Sequence, residues 1–291
     1  MTEAVPLPLR ELLARGDAFL QRKGIPDARV VCELLAARLL QCGRMELYRF
    51  ADTTPAERLV EALRRGIKRV AYGEPVQYVL GQWDFRRLTL KVDRRALIPR
   101  PETEELVEWV LRSPQAQRGG KPLVVDVGTG TGCIILSLAR EMADGFFVGL
   151  DISPEALELA RENAERTGLA DKVHFAESDG CGEFDPASVD ILVSNPPYIP
   201  SGEIGTLDPW IRNHEPLGAL DGGADGLDLY RSFLMDAIMV LKPGGGVFFE
   251  IGYGQGPALR ELMESCGLRE IRIEKDFAGH DRYAIGTQDE I

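Results

Sequence analysis

Asn195-Pro196-Pro197-Tyr198 sets an amide, two freed carbonyls and an aromatic ring within four consecutive residues. The two prolines remove two backbone donors and fix two φ angles, so the chain turns rigidly there. The chemistry open to such a group is acceptance of hydrogen bonds. The Asn195 side-chain carbonyl and the Pro196 backbone carbonyl can take the two N–H groups of a planar NH₂ whose delocalised lone pair makes it a poor nucleophile. Held that way, the lone pair is aimed and the positive charge that develops on nitrogen is stabilised. Tyr198 offers a flat face to an amide or base, and its ring favours a nearby cation. No separate general base is evident, and an alkylated amide is acidic enough to lose its proton after the transfer. Taken alone, the four residues also read as a rigid strand-terminating turn.

A second constellation lies upstream. Gly128-Thr129-Gly130-Thr131-Gly132 follows an apolar run and precedes a helical pattern. Glycines there let the backbone approach a ligand, with helix N–H groups close by. The loop lacks the G-x-G-x-x-G spacing of dinucleotide sites. Asp126 precedes it, suited to a ligand amino group directly or through water. Asp151, followed by Ile152, stands 19 residues after Gly132, where an acidic residue takes ribose hydroxyls. Asp179, with Gly180 beside it, is the natural contact to adenine. Acidic groups around the loop suit a cationic ligand, and the sulfonium S-adenosylmethionine fits. Methyl transfer from a sulfonium is an in-line displacement, in which the protein chiefly positions the nucleophile. Asn195 would then face both cofactor and acceptor.

These residues need elements to hold them. Val189–Val193 is an apolar, β-branched run suited to a buried parallel strand ending at Asn195. From residue 97 strand and helix alternate. Strands are expected at 123–127, 146–151, 173–177, 189–194, 246–250, 268–274 and 282–285, with helices near 102–111, 133–140, 154–167, 227–241 and 255–266. The fold class is therefore α/β, a mostly parallel sheet covered on both faces, with an antiparallel pair at one edge. Residues 1–72 carry three helical stripes, Leu9, Leu12, Leu13, Phe19 and Leu20, then Val30, Val31, Leu34, Leu35 and Leu39, then Leu59, Val60, Leu63, Ile67 and Val70. They predict a small helical bundle, with Asp27 and Thr54-Pro55-Ala56-Glu57 as helix starts. Residues 73–96 predict a β-hairpin linker. Its reversal at Arg86-Arg87 is poor turn chemistry for a two-residue loop.

Composition narrows the partners. Hydrophobic residues make up 44% of the 291 and charged residues 27%, enough for a sizeable core. No run approaches a membrane span and no apolar leader is evident, so a soluble cytoplasmic protein is expected. The five cysteines are scattered without C-x-x-C, and the three histidines lack ligand spacing, so neither disulfides nor a metal are expected. Residues 1–100 hold 19 Lys/Arg against 12 Asp/Glu, whereas the rest hold 15 against 34. A net of −19 over the larger part disfavours stable nucleic-acid binding there. Arg58, Arg64, Arg65, Lys68 and Arg69 on the third helical stripe form a solvated face or a docking surface for an acidic partner.

The sequence resembles the HemK/PrmC family, the S-adenosylmethionine-dependent glutamine N5-methyltransferases of peptide chain release factors. The resemblance rests on G-E-P-V-Q-Y-V-L-G at 73–81, L-I-P-R-P-E-T-E-E-L-V at 97–107, D-V-G-T-G-T-G at 126–132, S-N-P-P-Y-I at 194–199, H-E-P-L-G-A-L-D-G-G-A-D-G-L at 214–227 and E-I-G at 250–252. N-P-P-Y is shared with adenine-N6 methyltransferases of DNA and RNA, whereas the segments at 97–107 and 214–227 are more specific. The resemblance implies an N-terminal substrate-docking domain over 1–72, the hairpin linker and a seven-stranded, Rossmann-like class I methyltransferase domain over 97–291. It implies that Gly128 to Gly132 line the cofactor, that Asp151 holds its ribose, and that Asn195 to Tyr198 hold a glutamine amide. Arg100, Pro101, Glu102 and Thr103 would sit near the pocket rim. The implied substrate is the glutamine of the Gly-Gly-Gln motif, the implied role is in translation termination, the product is S-adenosylhomocysteine, and a monomer is the default. Gly180 departs from the bulky residue often found there and leaves open what packs on the adenine. An adenine-N6 methyltransferase and a non-catalytic S-adenosylmethionine-binding regulator are the alternatives.

Overall fold

The computed structural model describes residues 7–289, so the first six residues of the expected helical region and the last two of the chain lie outside it. The chain divides into two compact units, Met1–Gly81 with Pro209–His214, and Gln82–Asp208 with Glu215–Ile291.

In the first unit the apolar stripes become four helices, α1 (Leu9–Arg22), α2 (Ala28–Leu40), α3 (Glu57–Ala71) and α4 (Val76–Leu80). Leu9, Leu20, Leu35, Leu63, Ile67 and Val70 are buried together, with Val76, Val79 and Leu80 of α4 packed against them. That packing draws 73–81 into the bundle. Two expected helix starts differ. Asp27 holds the N-cap position of α2 in a left-handed conformation without a side-chain cap, and α3 starts only after Ala56, with no side-chain cap either.

The second unit opens with the hairpin β1 (Gln82–Phe85) and β2 (Leu88–Lys91), paired Trp83 to Leu90 and Phe85 to Leu88 across Arg86-Arg87. Then come α5 (Pro101–Arg112), α6 (Pro114–Gln117), β3 (Leu123–Val127), α7 (Cys133–Glu141), β4 (Phe146–Asp151), α8 (Pro154–Thr167), β5 (Val173–Glu177) and β6 (Val189–Ser194). The short α9 (Pro209–Arg212) falls within the segment that groups with the first unit. The chain ends with α10 (Asp228–Val240), β7 (Leu241–Glu250), α11 (Gly256–Ser265), β8 (Arg269–Lys275) and β9 (Asp281–Thr287). The seven-stranded sheet runs β5-β4-β3-β6-β7-β9-β8. β9 is antiparallel to both β7 and β8, and the other pairs are parallel. β7 starts five residues earlier than its apolar run predicts, and its pairing with β6 shifts register between Val189 and Ile191. Among the described residues no helix is long and apolar enough to cross a membrane.

The hairpin is not a free linker. Phe85, Leu88 and Leu90 are buried in the same cluster as Leu106, Ile134 and Phe147 on one face of the sheet. The boundaries expected at 72 and 96 therefore become one division at Gly81/Gln82, because α4 packs on the bundle and the hairpin packs on the sheet. Arg86 adopts a positive φ of 49°. Its guanidinium donates to Glu141 at 2.7 and 3.0 Å, to Glu108 at 2.9 Å and to the Glu104 carbonyl at 2.9 Å. Asn163 on α8, fully buried, ties the hairpin to the glycine loop. Its Oδ1 accepts the Lys91 N–H at 2.7 Å, and its Nδ2 donates to the Lys91 and Thr131 carbonyls, each at 3.0 Å.

Asn163→Ala leaves the part-buried Lys91 N–H and carbonyl and the buried Thr131 carbonyl without their partner, at about 1–3 kcal/mol per unmet buried group. The expected loss is about 3 kcal/mol of unfolding free energy by urea titration. A loss within the ordinary surface range of about 0.5 kcal/mol would show that water replaces the amide.

Candidate active site

The order of the strands reverses at β3, with β4 on one flank and β6 on the other. In open α/β sheets ligands bind in the crevice that such a reversal opens at the carboxyl ends. The residues that follow β3, β4, β5 and β6 line one cavity of about 400 Å³. Small-molecule sites span about 300–1,000 Å³.

The floor is the glycine loop. Gly128, Gly130 and Gly132 have φ of 73°, 55° and 80°, values that side-chain-bearing residues rarely adopt. The Asp151 carboxylate holds the turn, accepting the Gly130 N–H at 2.8 Å on one oxygen and the Ser153 N–H at 2.9 Å on the other. Burial pushes its carboxyl up, against these backbone bonds. Gly128, Thr129, Gly130, Thr131, Asp151, Ile152, Asp179, Asn195, Pro196 and Pro197 all line the cavity. The structure thus brings most of the expected residues together.

Four expected residues stand off the lining. Asp126 is fully buried behind the loop, where the Thr129 hydroxyl donates to its Oδ2 at 2.6 Å and its Oδ1 has no partner. Burial pushes its carboxyl up to about 7. Gly132 serves as the N-cap of α7. Gly180 is kept small by Asp236, whose Oδ2 accepts the Cys181 and Gly182 N–H groups at 3.0 and 3.1 Å. Tyr198 packs against the buried cluster that includes Leu192, Tyr230, Phe249 and Ile251, and burial pushes its hydroxyl up to about 12.

The apolar wall comes from residues that the sequence reading passed over. Leu97 and Ile98 precede α5, and Leu229 and Phe233 come from α10. Ile152, 70% exposed, adds an apolar side chain to the lining. These groups, rather than residue 180, are available to a flat aromatic ring.

The turn after β6 is braced from three directions. Ile199 bridges Asp221 in parallel, donating its N–H to the Leu220 carbonyl at 3.1 Å and accepting the Gly222 N–H at 2.9 Å. Gly222 must be glycine at this approach, since a Cβ would lie 2.7 Å from the Pro197 carbonyl oxygen and 2.9 Å from the Tyr198 Cα. Gln255 Nε2 donates to the Tyr198 carbonyl at 3.0 Å and to the Gly226 carbonyl at 3.2 Å. On the third side, Asn195 Nδ2 donates to Thr103 Oγ1 at 3.1 Å, and the Thr103 hydroxyl donates to Glu250 Oε2 at 2.7 Å. Thr103 and Glu250 are 2% and 1% exposed. Burial pushes the Glu250 carboxyl up to about 7, opposed by the Thr103 bond. Nearby Arg100 pairs with the buried Glu215 at 2.6 Å.

Two family models match the chain, a PrmC N-terminal domain over residues 11–81 and a methyltransferase domain over residues 121–274. The release factor glutamine methyltransferase of Caulobacter vibrioides is 37% identical over 272 residues, covering 94% of this chain and 92% of that one. The one from Geobacter sulfurreducens is also 37% identical, over 96% of both chains. The human MTRF1L release factor glutamine methyltransferase is 33% identical over 94% of this chain and 85% of its own. Among solved structures, the hMettl16 catalytic domain superposes with a TM-score of 0.56 at 16% identity, covering 78% of this chain and 82% of its own. A methyltransferase from Pyrococcus furiosus reaches 0.52 at 19% identity, over 76% and 97%. At such identities the structures speak to the fold alone, that of a seven-stranded methyltransferase. The sequence identity extends over nearly the whole chain and both units, and the chain belongs to the release factor glutamine methyltransferase family.

Proposed function

We propose that this chain methylates the side-chain amide nitrogen of the Gly-Gly-Gln glutamine in peptide chain release factors, with S-adenosylmethionine as donor. The observation that carries the reading is the presence of Asn195 and Pro196 on the same cavity as the glycine loop and Asp151. The residues fit the cofactor. The left-handed glycines leave room for close backbone approach, Asp151 lines the cavity where it would take ribose hydroxyls, and Leu229, Phe233 and Ile152 offer apolar contact to a base. Buried carboxylates near the loop favour a cation. When bound, the cofactor supplies an electrophilic methyl group on a sulfonium.

The chain's own residues supply position. The Asn195 Oδ1 and Pro196 carbonyl accept the two amide N–H groups and so orient the nitrogen lone pair. They also stabilise the charge that nitrogen gains, and its extra proton leaves to water afterwards. Tyr198, which stands off the cavity lining, anchors the turn, with its backbone carbonyl fixed by Gln255. We assign the helical first unit to docking of the release factor, a partner that places the activity in the cytoplasm. The exposed Arg58, Arg64 and Lys68 of α3 are its candidate contacts. The adenine-N6 alternative is less well supported, since the acidic balance of residues 101–291 opposes a polyanion.

Incubated with labelled S-adenosylmethionine, the protein is expected to label recombinant release factor and to leave a Gly-Gly-Gln→Gly-Gly-Ala variant unlabelled. Equal labelling of both would reject the glutamine, and labelling of nucleic acid alone would favour the adenine reading. Asn195→Ala should abolish turnover with cofactor affinity kept within about threefold, as befits a group acting in the transition state. Gly222→Ala pushes on the Pro197 carbonyl rather than on the cofactor wall. Its turnover should fall roughly 100-fold, the scale of an ångström-sized misplacement, with cofactor affinity again retained. A parallel loss of cofactor affinity in Gly222→Ala would mean that the turn and the glycine loop move as one.

A further inference from the structure

The hydrogen-bond chain from Asn195 through Thr103 to Glu250 has a direction, and that direction decides which end of the Asn195 amide meets an acceptor. An ionised carboxylate only accepts, so the Thr103 hydroxyl must donate to Glu250. The threonine oxygen is then left to accept, and only the NH₂ end of the asparagine amide can donate to it. Oδ1 is thereby the end left for a substrate N–H. With Glu250 protonated the logic reverses. The carboxylic acid can donate to Thr103, the threonine hydroxyl can turn to Asn195, and the amide then presents its NH₂ to a substrate that also offers N–H. Two donors would face each other.

We propose that Glu250 and Thr103 are positioning residues for the transfer, the carboxylate setting the direction of a two-bond relay that turns Asn195 Oδ1 toward the substrate amide. The inference rests on the reading above, in which an NH₂ group is the methyl acceptor. The two residues lie 92 and 55 positions from Asn195 and come from different elements, α5 and the end of β7. Both are buried, so water does not compete for the bonds.

The surroundings of Glu250 are mixed. Arg282 and Tyr283 on β9, Arg100 and Glu102 at the start of α5, Tyr230 on α10, Cys133 on α7 and Tyr198 in the turn all act on it electrostatically. The arginines favour the ionised form, and burial and Glu102 oppose it. Because its carboxyl is pushed up to about 7, the ionised form gains population as pH rises through neutrality. Below it the carboxyl can donate as well as accept, and the productive direction of the relay is no longer enforced.

The test combines turnover with a spectroscopic readout that needs no substrate. In the wild type kcat is expected to fall on the acid side of about pH 7, and the Asn195 side-chain NH₂ resonances should shift over the same range. Glu250→Gln should lower kcat roughly tenfold or more, remove the acid limb and leave the Asn195 resonances insensitive to pH, with S-adenosylmethionine affinity within about threefold. Thr103→Val should behave alike, and Thr103→Ser, which keeps the hydroxyl, should recover most of the turnover. The relay is overturned if Glu250→Gln keeps the limb and the titrating resonances. It is also overturned if Thr103→Ser is as impaired as Thr103→Val. A wild type that labels no release factor but shows the Asn195 titration would reject the proposed acceptor and leave the relay standing.

Discussion

Two consecutive prolines leave the turn after β6 without a backbone N–H for two residues, so the bonds that hold it come from elsewhere. That single constraint accounts for the scatter of distinctive segments along the chain. The Ala219-to-Leu227 stretch lies against the turn through Gly222, the Gly252–Gln255 corner supplies an amide to the Tyr198 carbonyl, and the first turn of α5 supplies Thr103 to Asn195. Each brace comes from a different segment of the sheet-bearing unit. A rigid turn on one rigid strand would fix only its own first residue. Braces from three sides fix the direction of the amide as well.

The same end of the sheet collects buried carboxylates. Asp126, Asp151 and Glu250 all have their carboxyls pushed up, with desolvation as the largest cause in each case. Each is held by donors it does not share with the others, namely Thr129, the Gly130 and Ser153 N–H groups, and Thr103. A carboxylate buried with fewer donors than acceptor sites carries a penalty, and a nearby positive charge relieves it. A pyrophosphate in the same place would add to the penalty. The electrostatics therefore discriminate between cofactor classes that the glycine loop alone would not separate. The carboxylates also do positional work, since Asp151 holds the glycine loop and Glu250, through Thr103, holds the amide of Asn195.

Much of this was legible in the sequence because it is local. Val189–Ser194 runs straight into Asn195, and Leu123–Val127 runs into the glycine loop, so strand, turn and ligand end are read from a dozen contiguous residues. The contacts that finish the site are not local. Thr103 and Glu250 are 147 residues apart, and Asn163 meets Lys91 from 72 residues away. Nothing in the spacing of a threonine, a glutamate and an asparagine announces that they share a buried chain. Asp126 shows the converse limit. Its place before the loop suggests a ligand contact, yet the strand carries it behind the loop, and Thr129 is the neighbour that lines the cavity. The displaced domain boundary has the same origin, because a hairpin with alternating Leu88, Leu90 and Val92 gives no sign of which core will take it.

Arg86 is the instructive case, because turn propensity argues against it. A side-chain-bearing residue in the left-handed region gives up about 1–2 kcal/mol relative to glycine. Hydrogen bonds to charged groups return about 1.5–3 kcal/mol each when shielded from solvent. The Arg86 side chain is 14% exposed and reaches Glu141, which is 9% exposed, through two nitrogens, as well as Glu108 and the Glu104 carbonyl. The pairs outweigh the backbone penalty, and their effect is positional. They clamp the hairpin tip to α5 and α7, while Asn163 clamps its other strand to α8 and to Thr131 in the glycine loop. The helix that carries Thr103 and the glycine loop that lines the cavity are thus both fastened to one hairpin. A turn with better local chemistry, such as Asn-Gly, would form more readily on its own and leave that fastening undone.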